Sequence, residues 1–501
     1  MDSLWAKFAQ EWNMTVVDLD ANLDRTYYRM HASTGEGELA ESFMAPRPTV
    51  KQRVAAGKAL RAKVPRADHA RYEPRADRPD PVSILEKQNE VRVPKLVPVR
   101  YARMLATPFA FLRGSAAVMA SDLSTTPVTG MRVAACGDMH VSNFGVYASA
   151  ERNLIFAIND FDEVHPGPWE WDLKRLAASA AVSSRNMGGD KVQAEEAARE
   201  IVRSYRKRMR RYAGMGYLQV WYERIDEHAV LEAISPRLRR GAARNLAKAR
   251  TKGHVRALEK LTAEVDGVHR FIEDVPLIVR ETESDIGLPA SVALDRMLHA
   301  YIQSLSPDRQ ALLSRYRIVD VARKVVGVGS VGTSCWVMLL QGVDRNDPLF
   351  LQIKQAQPSV LAPYVSTGLV FPGEGRRVVT GQRLTQGSPD IFLGWGTTEH
   401  RHFYVRQLSD MKGSVKYGEE GGAGLDSFID YCGLCGWALA LAHAKSGSAA
   451  MISGYCGTSD ALDEAIGAFA LAYARQTDRD HAALQKARRS GRIKVAANIV
   501  R

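Results

Sequence analysis

A chain of 501 residues, 46% hydrophobic and 25% charged, carries enough apolar material for a large core or two lobes and is neither disordered nor fibrous. No uninterrupted apolar run reaches the roughly 18 residues of a membrane span, and the opening MDSLWAKFAQEWN lacks the basic-then-apolar layout of a signal peptide, so a cytoplasmic protein without a membrane partner is expected. The net charge of +12 suits an anionic partner, a nucleotide or a nucleic acid, without choosing between them.

In chain order, residues 1–50 read as an accessory extension and residues 51–84 as a basic linker rich in arginine and proline. Within that linker Gln52 to Lys63 has the makeup of a short helix, and Pro65 to Pro81 that of an extended surface segment. VSILEKQN and VPVRYARMLATPFAFLRGSAAVMASDL predict helices broken at Pro98 and Pro108. MRVAACGD and NLIFAIND are short apolar runs, each predicting a strand that ends in an aspartate. WEWDLKRLAASAAVSSRN, KVQAEEAAREIVRSYRKRMRRYAGM and SPRLRRGAARNLAKARTKGHVRALEKL predict long amphipathic helices, closing near ETESDIGLPAS. From Ile318, IVDVARKVVGVGSVGTSCWVMLLQG and PLFLQIKQA predict three strands joined by turns, with a further helix and strands through FYVRQLSDMKG. From Leu425 to Arg492 the pattern is helical again. The expected outline is an α+β chain: a helical body over 85–317, a β-rich lobe over 318–415 and a helical tail over 416–501.

The five cysteines are scattered and odd in number, which fits a reducing compartment. Cys432 and Cys435 form a C-x-x-C inside the apolar stretch YCGLCGWALALAHA, where a structural role is favoured over metal or redox chemistry because no second pair exists.

The sharpest chemical signal is CGDMHVSNFG, in which Asn143 follows Asp138 by five positions, with Asp160 in INDFDE seventeen positions further on. Phosphoryl transfer needs a carboxylate to take the acceptor's proton, and an amide oxygen with a second carboxylate to hold magnesium against phosphates. A short loop gathers the first two groups, and a returning hairpin delivers the third. Asp162 supplies either a further carboxylate or a cap, and His140 shapes the loop. The second signal is GVGSVG, whose Gly327, Gly329 and Gly332, with Ser330 between them, stand between two predicted strands. A dinucleotide fingerprint needs a helix after such glycines, whereas Thr333 to Leu340 predicts a strand. Strand, glycine loop, strand, turn and strand with lysine is the layout of a kinase phosphate-covering loop, with Lys354 in LQIK as the phosphate-holding cation.

GDMHVSN resembles the catalytic loop of aminoglycoside phosphotransferases and choline kinases, and INDFDEVHPGPWEWDLKRLA resembles their metal motif and the helix behind it. The resemblance implies a bilobal kinase-like fold that binds ATP and magnesium, with Asp138 as catalytic base and Asn143 and Asp160 as metal ligands. It also implies that Asp172 is a buried tie beneath the catalytic loop. Cys136 stands where a histidine is common in those kinases. In them the glycine loop comes first, whereas here Lys354 follows Asp138 by more than two hundred residues, so a circular permutation is implied. ALALAHAKSG, around His443, resembles the helix that directly precedes their catalytic loop, and here it comes after the β-rich lobe. Glu374 is the nearby acidic candidate for pairing with Lys354, while Gln382 or no partner is also open. Arg406 and Lys412 read as solvent-exposed charges.

From about Arg53 to Ile493 the chain also resembles the bacterial domain-of-unknown-function family 2252. That resemblance rests on PFAFLRG, CGDMHVSNFG, NDFDEVHPGPWEWDLKRLA, RKVVGVGSVGT, LFLQIKQA, GQRLTQG, FYVRQLSDMKGS and AHAKSG, with Gln355 where the family is expected to carry an acid. The expected function is transfer of the ATP γ-phosphoryl group to a hydroxyl of a small acceptor. Transfer of AMP is an open alternative. So is a nucleotide-binding pseudokinase or a nucleic-acid-binding protein that uses SYRKRMRRY and SPRLRRGAARNLAKAR as a phosphate-contacting face, although a solvated surface is the favoured reading of those helices.

Overall fold

The structure is a computed structural model that describes residues 46–280, 290–325, 327–365, 371–398, 401–408 and 424–497, with the single positions 44, 411 and 413. Most of the expected extension, the loop at 281–289 and Lys412 lie outside these residues.

Helix α1 (Val50–Ala59) opens on a Thr49 capping box, then α2 (Pro81–Asn89), α3 (Val97–Met104), α4 (Pro108–Gly114) and α5 (Ala116–Leu123) follow. Pro81, Pro98 and Pro108 each sit in the first turn, where the missing N–H costs nothing. Most of the stretch from Pro65 to Pro81 is exposed, as its composition suggests, and two of its side chains anchor it to the body. His69 is fully buried with Nε2 at 2.7 Å from the Tyr455 hydroxyl, and Arg78 pairs with both Asp122 and Asp480 in a half-buried setting. Gly57 and Gly454 allow α1 to lie against the later helix at Met451, since a Cβ at Gly57 would stand 1.9 Å from the Met451 carbonyl oxygen.

Four short strands then form two antiparallel pairs. β1 (Arg132–Ala135) pairs with β4 (His165–Pro168), and between them β2 (Phe144–Ala148) pairs with β3 (Leu154–Ile158). This nesting puts the β1–β2 loop and the β3–β4 loop side by side. Helix α6 (Trp169–Asn186) follows and is buried continuously from Trp169 to Ser184, not along one stripe as an amphipathic helix would be. Its polar residues are tolerated because most of them find partners: Glu170 accepts from the Thr129 amide at 2.7 Å, and Lys174 lies 5.0 Å over the Phe469 ring.

Helices α7 (Lys191–Ala213), α8 (Tyr217–Tyr222), α9 (Glu227–Ala233), α10 (Pro236–Arg250) and α11 (His254–Leu261) complete this stretch. The last long helix of the sequence reading is thus two helices, broken at Gly253. A hairpin of β5 (Thr262–Val265) and β6 (Val268–Phe271), the short β7 (Ile278–Val279), α12 (Ala290–Ser304) and α13 (Pro307–Leu313) come next. The β-rich part comprises β8 (Arg317–Lys324), β9 (Cys335–Gln341), β10 (Pro348–Ala356), α14 (Glu374–Thr385), β11 (Gly394–Thr398) and β12 (Arg401–Gln407). Its antiparallel sheet runs β11-β12-β10-β9-β8-β7. One face packs Met338, Leu340, Leu351, Ile353 and Val405 with Met297 and Tyr301 of α12, and the other packs Val337, Leu339 and Phe350 with Leu258 of α11.

The chain closes with α15 (Leu425–Ser446), α16 (Ala449–Cys456) and α17 (Ala461–Arg489), which share the largest core with α6, α7 and strands β1, β2 and β3. Among the described residues α15 is the one helix long and apolar enough to cross a membrane by composition, and 67% of its apolar window is buried inside the protein. Cys432 and Cys435 lie buried within it, and all five cysteines are free thiols.

Candidate functional site

The β1–β2 loop begins at Cys136 and turns at Gly137, whose φ of +74° favours glycine and whose Cβ would meet the Glu163 carbonyl at 2.8 Å. Beneath it Asp172, in the first turn of α6, accepts from the amides of Cys136 at 2.6 Å and Gly137 at 2.9 Å. His443 of α15 sets Nε2 3.2 Å from the same carboxylate, and Ser446 Oγ accepts from the Ala134 amide of β1 at 3.1 Å. The tail helix therefore packs under the strand that leads into the loop.

With its base fixed, the loop presents Asp138 and Asn143 to a shared cavity. Asn143 lies in a 3-10 turn (Val141–Asn143) and donates from Nδ2 to the Asp138 carbonyl at 2.6 Å. The Asn143 carbonyl accepts from the Asn159 amide at 2.8 Å, which clips the neighbouring β3–β4 loop to it. Asp138 is bonded by Arg175, whose Nε stands 3.1 Å from Oδ1 and whose Nη2 also donates to the Leu112 carbonyl at 2.8 Å. Burial raises the Asp138 carboxyl above its ordinary pKa, and Arg175 works against that rise. His140 is buried, with Nε2 4.0 Å from Asp138, and burial holds its ring well below its ordinary pKa, so it is neutral.

On the sheet side, alternation along β10 puts Gln352 and Lys354 on one face, and the register places Arg406 and Tyr404 of β12 directly opposite them. Lys354 Nζ lies 2.6 Å from Asp162 and 3.9 Å from Asp160. Burial disfavours that ammonium, but Asp160, Asp162 and the Tyr404 hydroxyl outweigh it and hold Lys354 well above its ordinary pKa. Burial likewise opposes ionisation of Asp162, and Lys354, the Tyr404 hydrogen bond and Arg406 more than offset it. Asp162 is thus neither a cap nor a surface group but the carboxylate partner of Lys354. Glu374 pairs with Arg377 of its own helix instead. Arg406, expected to be solvent-exposed, donates to the Asn159 carbonyl at 3.0 Å and to Gln352 at 3.1 Å.

The glycine loop closes the cavity from above. Gly327, Gly329 and Ser330 line it together with Asp138, Asn143, Asp160, Asp162 and Glu163. A Cβ at Gly329 would sit 3.1 Å from the Arg113 carbonyl and 3.7 Å from Asp138, which accounts for glycine at this position. Gly332, with φ of +91°, instead turns against the Arg92 side chain, 3.1 Å from where its Cβ would be. The loop is tied to the helical segment ahead of β1: the Val93 amide donates to the Gly332 carbonyl at 2.8 Å, and Arg92 to the Val331 carbonyl at 2.5 Å. Burial also pushes the Glu163 carboxyl up to about 7.

Arg175, Arg377, Tyr404, the buried Arg92 and Arg100 and the partly buried Arg113 escaped the sequence reading. Arg175 carried one legible sign, its place one turn after Asp172 on the same helix face. Arg377, which donates to the carbonyls of Asp162 at 2.9 Å and Gln357 at 2.7 Å, carried none. The basic helices proposed as a phosphate-contacting face are partly committed elsewhere: Arg206 is buried against Asp463, and Arg203, Arg211, Arg237 and Arg250 pair with acidic side chains. Among the described residues no cluster of three or more histidine, cysteine or acidic side chains stands ready to enclose a metal by itself.

No curated protein and no solved structure matches the chain. The family model described as an uncharacterized protein conserved in bacteria (DUF2252) matches residues 92–487, a span that holds both loops, the glycine loop, Lys354 and the tail helix of His443. The chain is a member of this DUF2252 family.

Proposed function

We propose that the chain is an ATP- and magnesium-dependent phosphotransferase of kinase-like architecture, with the catalytic loop ahead of the glycine loop in sequence. The observation that carries this reading is the meeting of Lys354 with Asp160 and Asp162, beside Asp138 and under Gly329, across more than two hundred residues of chain. A kinase site needs these groups together, and a glycine-bearing hairpin with a surface lysine does not. The arrangement of α15 supports the permuted order, because His443 and Ser446 join the tail to β1 and Asp172 where an unpermuted chain would run straight through.

In this reading the nucleotide's phosphates lie under the glycine loop, near Lys354. Asp160, 39% exposed and facing the cavity, and the Asn143 side-chain oxygen would hold magnesium, which commonly keeps water and phosphate oxygens as its other ligands and so needs no enclosing protein cage. Magnesium when bound supplies charge compensation to the phosphates. Asp138 takes the proton of the acceptor hydroxyl as that oxygen bonds to the γ-phosphorus and ADP leaves with the bridging oxygen. Arg175 keeps the carboxylate aimed and ionised. Asp172 is a positioning residue that fixes the loop through two amides.

The test is incubation with ATP labelled at the γ- or at the α-phosphate, magnesium and a pool of bacterial small molecules. Label should pass from the γ position to a new product, with none passing from an Asp138→Asn variant of unchanged fold. Transfer from the α position would make the enzyme an AMP transferase, and no transfer with no nucleotide binding would refute the proposal.

A further inference from the structure

The cavity's acids are committed unevenly: Asp138, Asp160 and Asp162 pair with Arg175 and Lys354, while Glu163 reaches Arg92 and Arg100 only through its longer-range field. Arg377 meets Glu374. Arg92, Arg100 and Arg113 line the same cavity, and among the described residues none of the three has a carboxylate within ion-pair distance. Arg100 is 1% exposed and gives its donors to neutral oxygens, those of Asn89 at 2.6 Å and of Gln88 and Gly114 at 2.9 Å. Arg92, 9% exposed, reaches the Val331 carbonyl. The Arg113 guanidinium has no protein hydrogen-bond acceptor among the described residues, and the Nε of each of the three is buried without a partner.

A buried guanidinium without a close counterion is costly, and two buried and one partly buried around one cavity favour an anion there. Burial brings Arg92 down to about 10 and lowers Arg100 and Arg113, the direction expected of cations waiting for negative charge. Their place in the fold separates them from the sheet's own cation. Lys354 rises from β10, whereas the arginines come from the segment between α2 and α5, ahead of the catalytic loop. That segment borders Asp138: Arg175 bridges Asp138 to the Leu112 carbonyl, and the Arg113 field acts on Asp138 and Asp160. Asp138 is the group that must meet the acceptor.

We propose that Arg92, Arg100 and Arg113 form an anion seat for the second substrate, so that the acceptor is a hydroxyl compound that itself carries a phosphate or carboxylate group. The word acceptor rests on the phosphotransferase reading; the anion seat does not. Guanidiniums offer paired N–H donors that match both oxyanions, and the neutral Gln88, which also lines the cavity, adds hydrogen-bonding capacity without charge.

The test is calorimetric titration of the full chain with inorganic phosphate, with and without saturating Mg-ADP, for the wild type, Arg113→Gln and Arg92→Gln. The wild type should bind phosphate whether or not Mg-ADP is present. Arg113→Gln should bind it roughly ten-fold more weakly or worse with an unchanged melting temperature, because that guanidinium bonds to nothing among the described residues. Arg92→Gln, checked for folding by circular dichroism, should weaken it similarly. No phosphate binding by the wild type, or equal binding in all three proteins, would overturn the seat. Displacement of phosphate by Mg-ADP would show that the arginines serve the nucleotide and would overturn the acceptor assignment. Arginine-dependent phosphate binding in a protein that does not bind Mg-ADP would instead uphold the seat while removing the phosphotransferase reading.

Discussion

Asp138 illustrates how one residue's chemistry depends on a partner the sequence did not announce. Burial raises its pKa and Arg175 restrains that rise, so the two together decide at what pH the carboxylate can accept a proton. Arg175→Leu removes the restraint. With Asp138 as the proposed base, which must be ionised to work, the acid limb of the pH–rate profile should therefore move to higher pH, and turnover at pH 7 should fall by about ten-fold or more. The affinity for Mg-ADP should hold, and Arg175→Lys should recover part of the turnover. A variant with an unshifted pH profile would mean that Arg175 merely packs. Asp138, Asn143, Asp160 and Lys354, which the fold brings together, stood out because each stands in a short motif whose spacing matches the proposed chemistry. Tyr404 and Arg113 did not, because their places in the site arise from contacts between segments far apart in the chain, and Arg175 showed only its position one turn after Asp172 on the same helix.

At the scale of elements, the strands and helices beside the site were the most readable part. The runs MRVAACGD and NLIFAIND became β1 and β3, the glycine loop lies between β8 and β9, and α6 begins and ends where its pattern does. What was misread has a physical cause in each case. Helix α6 carries charges that suggest a wet face, yet it is buried all round because partners on other elements take up most of its polar groups. The β5–β6 hairpin is short and mostly exposed, so it leaves little apolar alternation to read. The short helix expected in the linker is present as α1, and its close packing at Gly57 is a feature that composition cannot reveal. The same device joins the tail to the body: a Cβ at Gly436 of α15 would stand 2.2 Å from the Ile201 carbonyl of α7. Gly436→Ala should therefore force these helices apart and cost about 1–3 kcal/mol, the usual range for overpacking. Urea unfolding followed by circular dichroism would register it. Stability equal to the wild type would mean that α15 is free to shift and that the tie between His443 and Asp172 is looser than its 3.2 Å contact implies.

For the whole molecule, the family and the α+β class follow from the match over residues 92–487 and from the mixed architecture. The kinase-like order rests on the proposal that separated segments rebuild one phosphotransfer site. The approach of Lys354 to Asp160, 3.9 Å in the fold, was implied by the kinase resemblance of separate motifs and not by any local spacing. Calorimetric titration of Mg-ATP into the wild type, Lys354→Met, Asp160→Ala and Asp138→Asn tests that claim directly. Magnesium-dependent binding by the wild type is expected, weakened by about ten-fold or more in Lys354→Met and Asp160→Ala and retained in Asp138→Asn, which loses only the proton acceptor. A folded wild type that takes up no Mg-ATP, or binding that is indifferent to Lys354 and Asp160, would contradict the account.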